Sequence, residues 1–270
     1  MKWWPHILFL IFVILCFVLD LNFDQQNLEF ILQTPSFEFL LGTDELGRDL
    51  LTRLMWGARI SLIVSFCSTV LALIFGVFIG LISAWCGGVV DRVLMRGIDV
   101  FISLPNLVLL IILQSFVTPV LLISFDGPFK TVLSMIFSLS LVSWVNFAKV
   151  SRQQALQDLK KPFVESAKSS GAGVFWILTK HIMPLQWVSL VSLFIYKMSS
   201  NILYESFLSF LGMGINPPYS SWGTLLNSGW NQFPLHLHTM MAPAGAIFLV
   251  IFYLQWMSKK IIKRPQVRFY

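Results

Sequence analysis

LIVSFCSTVLALIFGVFIGLI, Leu62 to Ile82, decides the fold class. It carries no charge and no alternation of apolar and polar positions, so it is apolar all round. A helix crossing a hydrocarbon core about 30 Å thick needs roughly 20 such residues. A spanning strand needs only about 10, with alternate positions polar. The stretch therefore reads as a helix in lipid. Working outward from it, six candidate spans emerge: Trp3 to Leu21, Ile60 to Ala84, Ile98 to Val117, Thr131 to Ala148, Leu185 to Leu211 and Met240 to Met257. The expectation is an all-α integral membrane protein with six transmembrane helices.

Composition agrees. Of the 270 residues 56% are hydrophobic and 12% charged, with mean hydropathy +0.76, whereas soluble domains are about 25% charged. The net charge of +6 matters less than its distribution. With the N-terminus inside, Lys2, Arg92, Arg96, Lys149, Arg152, Lys160, Lys161, Lys168, Lys180 and the cations after Met257 all fall in inner segments. Arg48, Arg53, Arg59 and Lys130 fall outside. The positive-inside rule then places both termini in the cytoplasm and leaves no role for nucleic acid. The chain divides into an anchor (1–22), an outer segment with an interfacial helix (23–59), a membrane core (60–257) and a basic tail (258–270). The first run has the length of a signal-peptide core, but CFVLDLNF, Cys16 to Phe23, offers no small-residue cleavage site, so it reads as an anchor. Cys16, Cys67 and Cys86 lack the close spacing of a metal or redox motif.

Within the second span Ala72, Gly76, Gly80 and Ala84 recur every fourth residue. That small-residue face lets another helix approach closely, in this chain or in a partner. Pro105 should bend the third span. The fifth span carries Lys197, Asn201 and Glu205 four residues apart on one face. Ionisable groups in a span face a pathway or a partner, and either reading fits. Between Lys149 and His181 the polar connection is far longer than a turn requires. Pro162 should start a short helix there, with Gly171 and Gly173 ending it near Ser170. Glu165, Ser166 and Ala167 then present a small, flat surface with one anionic handle, suited to a groove on a partner.

Other motifs carry less. GTDELGRD, Gly42 to Asp49, has the glycine spacing of a phosphate loop, but Arg48 and Asp49 replace its lysine and hydroxyl residues. His236 and His238 have no acidic or thiol neighbours to complete a metal site. No catalytic constellation is visible.

ESAKSSGAGVFWILTKHIMP, Glu165 to Pro184, resembles the cytoplasmic loop of permease subunits of ATP-binding cassette importers. That loop reads EAA, three residues, G, nine residues, then an apolar-x-L-P close. Glu165, Ala167, Gly171 and Pro184 fall in register, with Ser166 for the second position and Met183 for leucine. LGTDELGRDLLTRLMWGARISL (Leu41 to Leu62) and ESFLSFLGMGINPPYSSWGTLLNSG (Glu205 to Gly229) are similar to the C-type permeases of the dipeptide, oligopeptide and nickel family. The resemblance implies a type I importer fold in a bacterial inner membrane. It also implies a second homologous permease, two ATPase subunits that use ATP and magnesium, and an external binding protein. This chain would bind no cofactor and catalyse nothing itself; nickel and modified peptides are further cargoes of that family. The rival reading is a stand-alone secondary transporter using Lys197 and Glu205.

Overall fold

The computed structural model describes residues 4–19, 22–122 and 128–262. Trp3, Asp20, Leu21 and most of the basic tail lie outside them. The described chain is helical, with one isolated bridge between Thr43 and Asp49. Its helices are α1 (Trp4–Val18), α2 (Leu50–Cys86), α3 (Gly88–Ser103), α4 (Asn106–Leu122), α5 (Pro128–Asp158), α6 (Pro162–Ser169), α7 (Val174–Ile177), α8 (Met183–Leu208), α9 (Trp222–Asn231) and α10 (Leu237–Ile262). Wide π turns at Leu178–Ile182 and Ser209–Met213 flank α8.

Among the described residues four continuous helical stretches are long and apolar enough to cross a membrane, and α3 with α4 passes only as a bent pair, a broken span or a re-entrant loop. The break corrects the expected third span. Leu104, held extended at φ −95°, ψ 141°, cannot stay helical before Pro105, and α3 and α4 meet at 97°. A full break, not a bend, results. The 15 described residues of α1 extend only about 22 Å, short of a hydrocarbon core, so the sixth span stays an expectation. The inner connection expected over Trp85 to Gly97 shrinks to Gly87; Gly87 and Gly88, the first residue of α3, take φ +59° and +52°. These left-handed angles suit glycine, and α3 resumes at once.

The outer helix expected from Leu46 begins at Leu50 and passes into the second span without a break. The Asp49 carboxylate accepts the N–H of Thr52 at 3.0 Å, capping α2. From Leu50 the helix runs unbroken for 37 residues, about 55 Å, so its first turns extend beyond the hydrocarbon.

Contacts group the chain into two compact units. The first comprises Met1–Val64, Val120–Met135 and Ile202–Val250. There Arg59 donates to the carbonyls of Cys16 and Leu19 at the end of α1 and lies over Trp56 at 4.5 Å. A cation at a helix C-terminus satisfies free carbonyls and opposes the dipole. The wholly buried Trp222 of α9 donates to the Leu54 carbonyl at 3.0 Å.

The second unit comprises Ser65–Pro119, Ile136–Asn201 and Ile251–Tyr270. Here the small face of α2 meets α5 within the same chain. A Cβ on Gly76 would lie 2.6 Å from Phe147 Cβ, and one on Gly80 would lie 2.5 Å from the Ala148 carbonyl. Around this contact a core gathers Val77, Leu81, Phe147, Ala155, Val164, Ile177, Ile182 and Leu190.

Gly80→Leu should force α2 and α5 apart and cost on the order of 1–3 kcal/mol, seen as a lower melting temperature in detergent. Gly97→Ala, which meets nothing within 4 Å, should change it little.

Candidate functional site

The exposed helix α6 is built residue by residue. Lys161, extended at φ −78°, ψ 145° before Pro162, ends the preceding turn. Proline at the first helical position loses no helical hydrogen bond. At the other end Gly171 adopts φ +80°, its N–H donates to Lys168 O and Ala172 N–H to Ala167 O, each at 3.0 Å. This is a Schellman cap. Nothing approaches a Cβ at Gly171, so the glycine is required by backbone angle and not by space.

One face of α6 is fixed. Val164 is wholly buried in the second unit's core, Ala167 packs at its margin, and Lys168 sits over the Trp85 ring at 4.9 Å. The opposite face leaves Phe163, Glu165, Ser166 and Ser169 exposed. No described residue pairs with the Glu165 carboxylate. Beyond Gly173, Phe175 and Trp176 also stand exposed, while Ile177, Leu178 and Ile182 point into the core. His181 lies edge-on to Trp176 at 4.6 Å. Pro184 is the second residue of α8, directly after the π turn that joins α7 to α8. Glu165, Ser166, Ala167, Gly171 and Pro184 thus belong to one continuous segment.

Two polar ties hold that segment's base. Ser151 on α5 donates to Gln186 Oε1 at 2.8 Å, and Gln186 Nε2 returns a bond to the Ser151 carbonyl at 3.2 Å; both residues are wholly buried. Arg152 makes a two-pronged pair with Asp91, which also accepts from Ser83.

The polar trio of α8 is not one cluster. In the second unit, the Asn201 amide accepts from Ser143 at 2.8 Å and donates to Ser68 and Thr69 at 3.1 and 2.9 Å. In the first unit, the Glu205 carboxylate accepts from Ser61 and Ser209, each at 2.8 Å. Asn201 and Glu205 are both 0% exposed. Lys197 is half-buried and makes no ion pair or hydrogen bond among the described residues. Lys197 and Glu205 do not partner each other.

Sequence reasoning singled out the amide and the carboxylate but missed the hydroxyls that serve them. The available signal was Ser61, Ser65 and Ser68 recurring at helical spacing in an apolar run. It also missed Val164, whose pairing with Ala167 three residues on marks the buried face of α6.

The stretch after Glu205 forms a packed corner. Gly212 turns the chain at φ +81°, and a Cβ on Gly223 would lie 2.7 Å from Ser206 Cα. GTDELGRD is likewise structural. Asp44 accepts the N–H groups of Leu46 and Arg48 at 2.9 and 3.0 Å and pairs with the buried Arg48 and Arg53. His238 packs against Gly42, and no group of His, Cys, Asp and Glu able to hold a metal occurs among the described residues.

Comparison with known proteins places this geometry. The family described as binding-protein-dependent transport system inner membrane component matches residues 72–265. The oligopeptide transport system permease protein OppC of Bacillus subtilis is 34% identical over 81% of this chain and 68% of its own length. The dipeptide transport system permease protein DppC of the same organism is 36% identical over 72% of this chain and 58% of its own length. A peptide permease protein of Brucella suis, named putative, is 32% identical over 90% and 78%. The inward-facing MetNI methionine ABC transporter superposes with TM-score 0.62 at 17% identity, over 79% of this chain and 96% of the matched one. That likeness shows the type I permease fold.

Gly171→Ala should raise amide exchange at Ala172 by about five- to thirty-fold, the equivalent of the ~1–2 kcal/mol cost of a left-handed residue. Gly173→Ala, at φ −70° with equal space, should change exchange there less than about two-fold by the same reasoning.

Proposed function

We propose, from the premise that the chain belongs to the binding-protein-dependent transport system inner membrane components, that it is one permease subunit of an ATP-driven ABC importer of di- or oligopeptides. In this reading it forms half of the translocation path beside a second, homologous permease. Two ABC ATPase subunits hold ATP and magnesium, and an extracytoplasmic binding protein delivers cargo. It sits in the bacterial cytoplasmic membrane with both termini inside, residues 1–22 as anchor, 23–59 periplasmic, 60–257 as permease core and 258–270 as basic tail. The peptide relatives support the cargo class.

The observation that carries the coupling role is α6 itself: one face locked in the core through Val164, the other exposed around Glu165, which no described residue pairs. A partner that grips the outer face moves the helix as a body, because α6 is capped at Gly171. Displacement then passes through buried Ile177, Leu178 and Ile182 into α8 at Pro184. The ATPases would bias the two states of the spans only through differential affinity for them.

Of the α8 trio, Lys197 is the residue assigned to the path, since it is half-buried and has no ion-pair or hydrogen-bond partner among the described residues. Asn201 and Glu205 are assigned to packing, with their polar atoms served by hydroxyls within the chain. That assignment also weighs against a stand-alone carrier built on Glu205.

Glu165→Lys in the assembled complex should lower uptake at least about ten-fold, as loss of a charge-assisted contact does, while subunit assembly in the membrane stays normal. Binding-protein stimulation of ATP hydrolysis should fall in parallel. Uptake within about two-fold of wild type, too small to reflect a lost contact of that kind, would remove the docking role.

A further inference from the structure

We infer that α3 carries a binding site for an anionic phospholipid of the inner leaflet. This goes beyond the transport reading, rests on that reading's orientation for the leaflet, and uses residues with no part in transport. Taking α4 as the membrane-embedded arm of the bent pair, a helix turned 97° from it runs along the membrane surface. Its inward face is settled: Ile98 is wholly buried beside Val145 and Ala148, and Phe101 meets Trp144 edge-on at 5.8 Å. The opposite face is therefore fixed outward. It presents Val89, Val93 and Val100, 66%, 63% and 66% exposed, which helical spacing sets in one stripe. Beside that stripe stand Arg92 and Arg96, both exposed.

Local charge makes the stripe's edge cationic. Asp91 is taken up by Arg152 and Ser83, and Asp99 by Lys149 at 2.9 Å. Arg92 makes only a backbone bond to the Gly88 carbonyl at 3.2 Å, and Arg96 has no partner among the described residues. Apolar side chains at acyl depth, with unneutralised guanidinium groups at phosphate height, are what an interfacial helix offers an anionic headgroup. Arginine binds phosphate oxygens in two-pronged fashion. Valines capped by arginines thus fit a lipid with a phosphodiester better than the apolar surface of a neighbouring helix, against which two free cations would be desolvated.

The test uses the whole transporter complex in nanodiscs of phosphatidylcholine with one third phosphatidylglycerol, followed by native mass spectrometry of retained lipid. Wild type should retain phosphatidylglycerol over phosphatidylcholine, and Arg92→Gln with Arg96→Gln should weaken that retention by about five-fold per arginine. Lys160→Gln, which removes an exposed cation with no apolar stripe, should leave it unchanged. Equal retention of the two lipids by wild type, or retention unaltered in the double variant, overturns the site. So does efficient cross-linking of a Val93→Cys variant to another subunit, which would make this face a protein contact. Lipid retention is read without uptake, so the outcome is separate from that of the transport reading.

Discussion

The backbone approach of α2 to α5 at Gly76 and Gly80 is the contact on which the second unit depends. Helices in lipid gain little from hiding apolar surface, since the solvent is apolar too, and close packing drives their association. Removing the side chains at two positions one turn apart lets the carbonyls of Trp144 and Ala148 lie against α2. With α5 so placed, Arg152 reaches Asp91 and Ser151 reaches Gln186. Those ties fix the end of α5 and the start of α8, and α6 is held between them.

Burial of polar groups obeys the same economy of satisfaction. In hydrocarbon an unpaired amide or carboxylate is costly, and the serines and threonines along α2 supply bonds without adding bulk or charge. Asn201 uses both its oxygen and its nitrogen within the second unit, and Glu205 organises a corner of the first. Lys197 has no such service, and that difference separates it from its two neighbours on the helix.

Much of α6 was legible in advance. Pro162, Glu165 and Gly171 punctuate a short helix in a connection too long to be a mere turn, and the helix spans Pro162–Ser169. What pattern could not reveal was why glycine stands at 171, because sterics and backbone angle leave the same mark in a sequence. The break at Pro105 was underestimated for a related reason. Proline announces a disturbance, but whether it becomes a kink or a 97° turn depends on what packs on either side.

By itself the sequence determined the class of molecule, from apolar runs of membrane length, and the family, from the motif that begins at Glu165. Those properties depend on composition and local spacing, which a single chain records directly. Only the tertiary structure decided that the glycine face of α2 is used within the chain, that Asn201 and Glu205 are sealed, and that α3 turns aside with Arg92 and Arg96 in no ion pair among the described residues. Each of these depends on which distant segment arrives opposite a residue, and helical periodicity names a face without naming its neighbour.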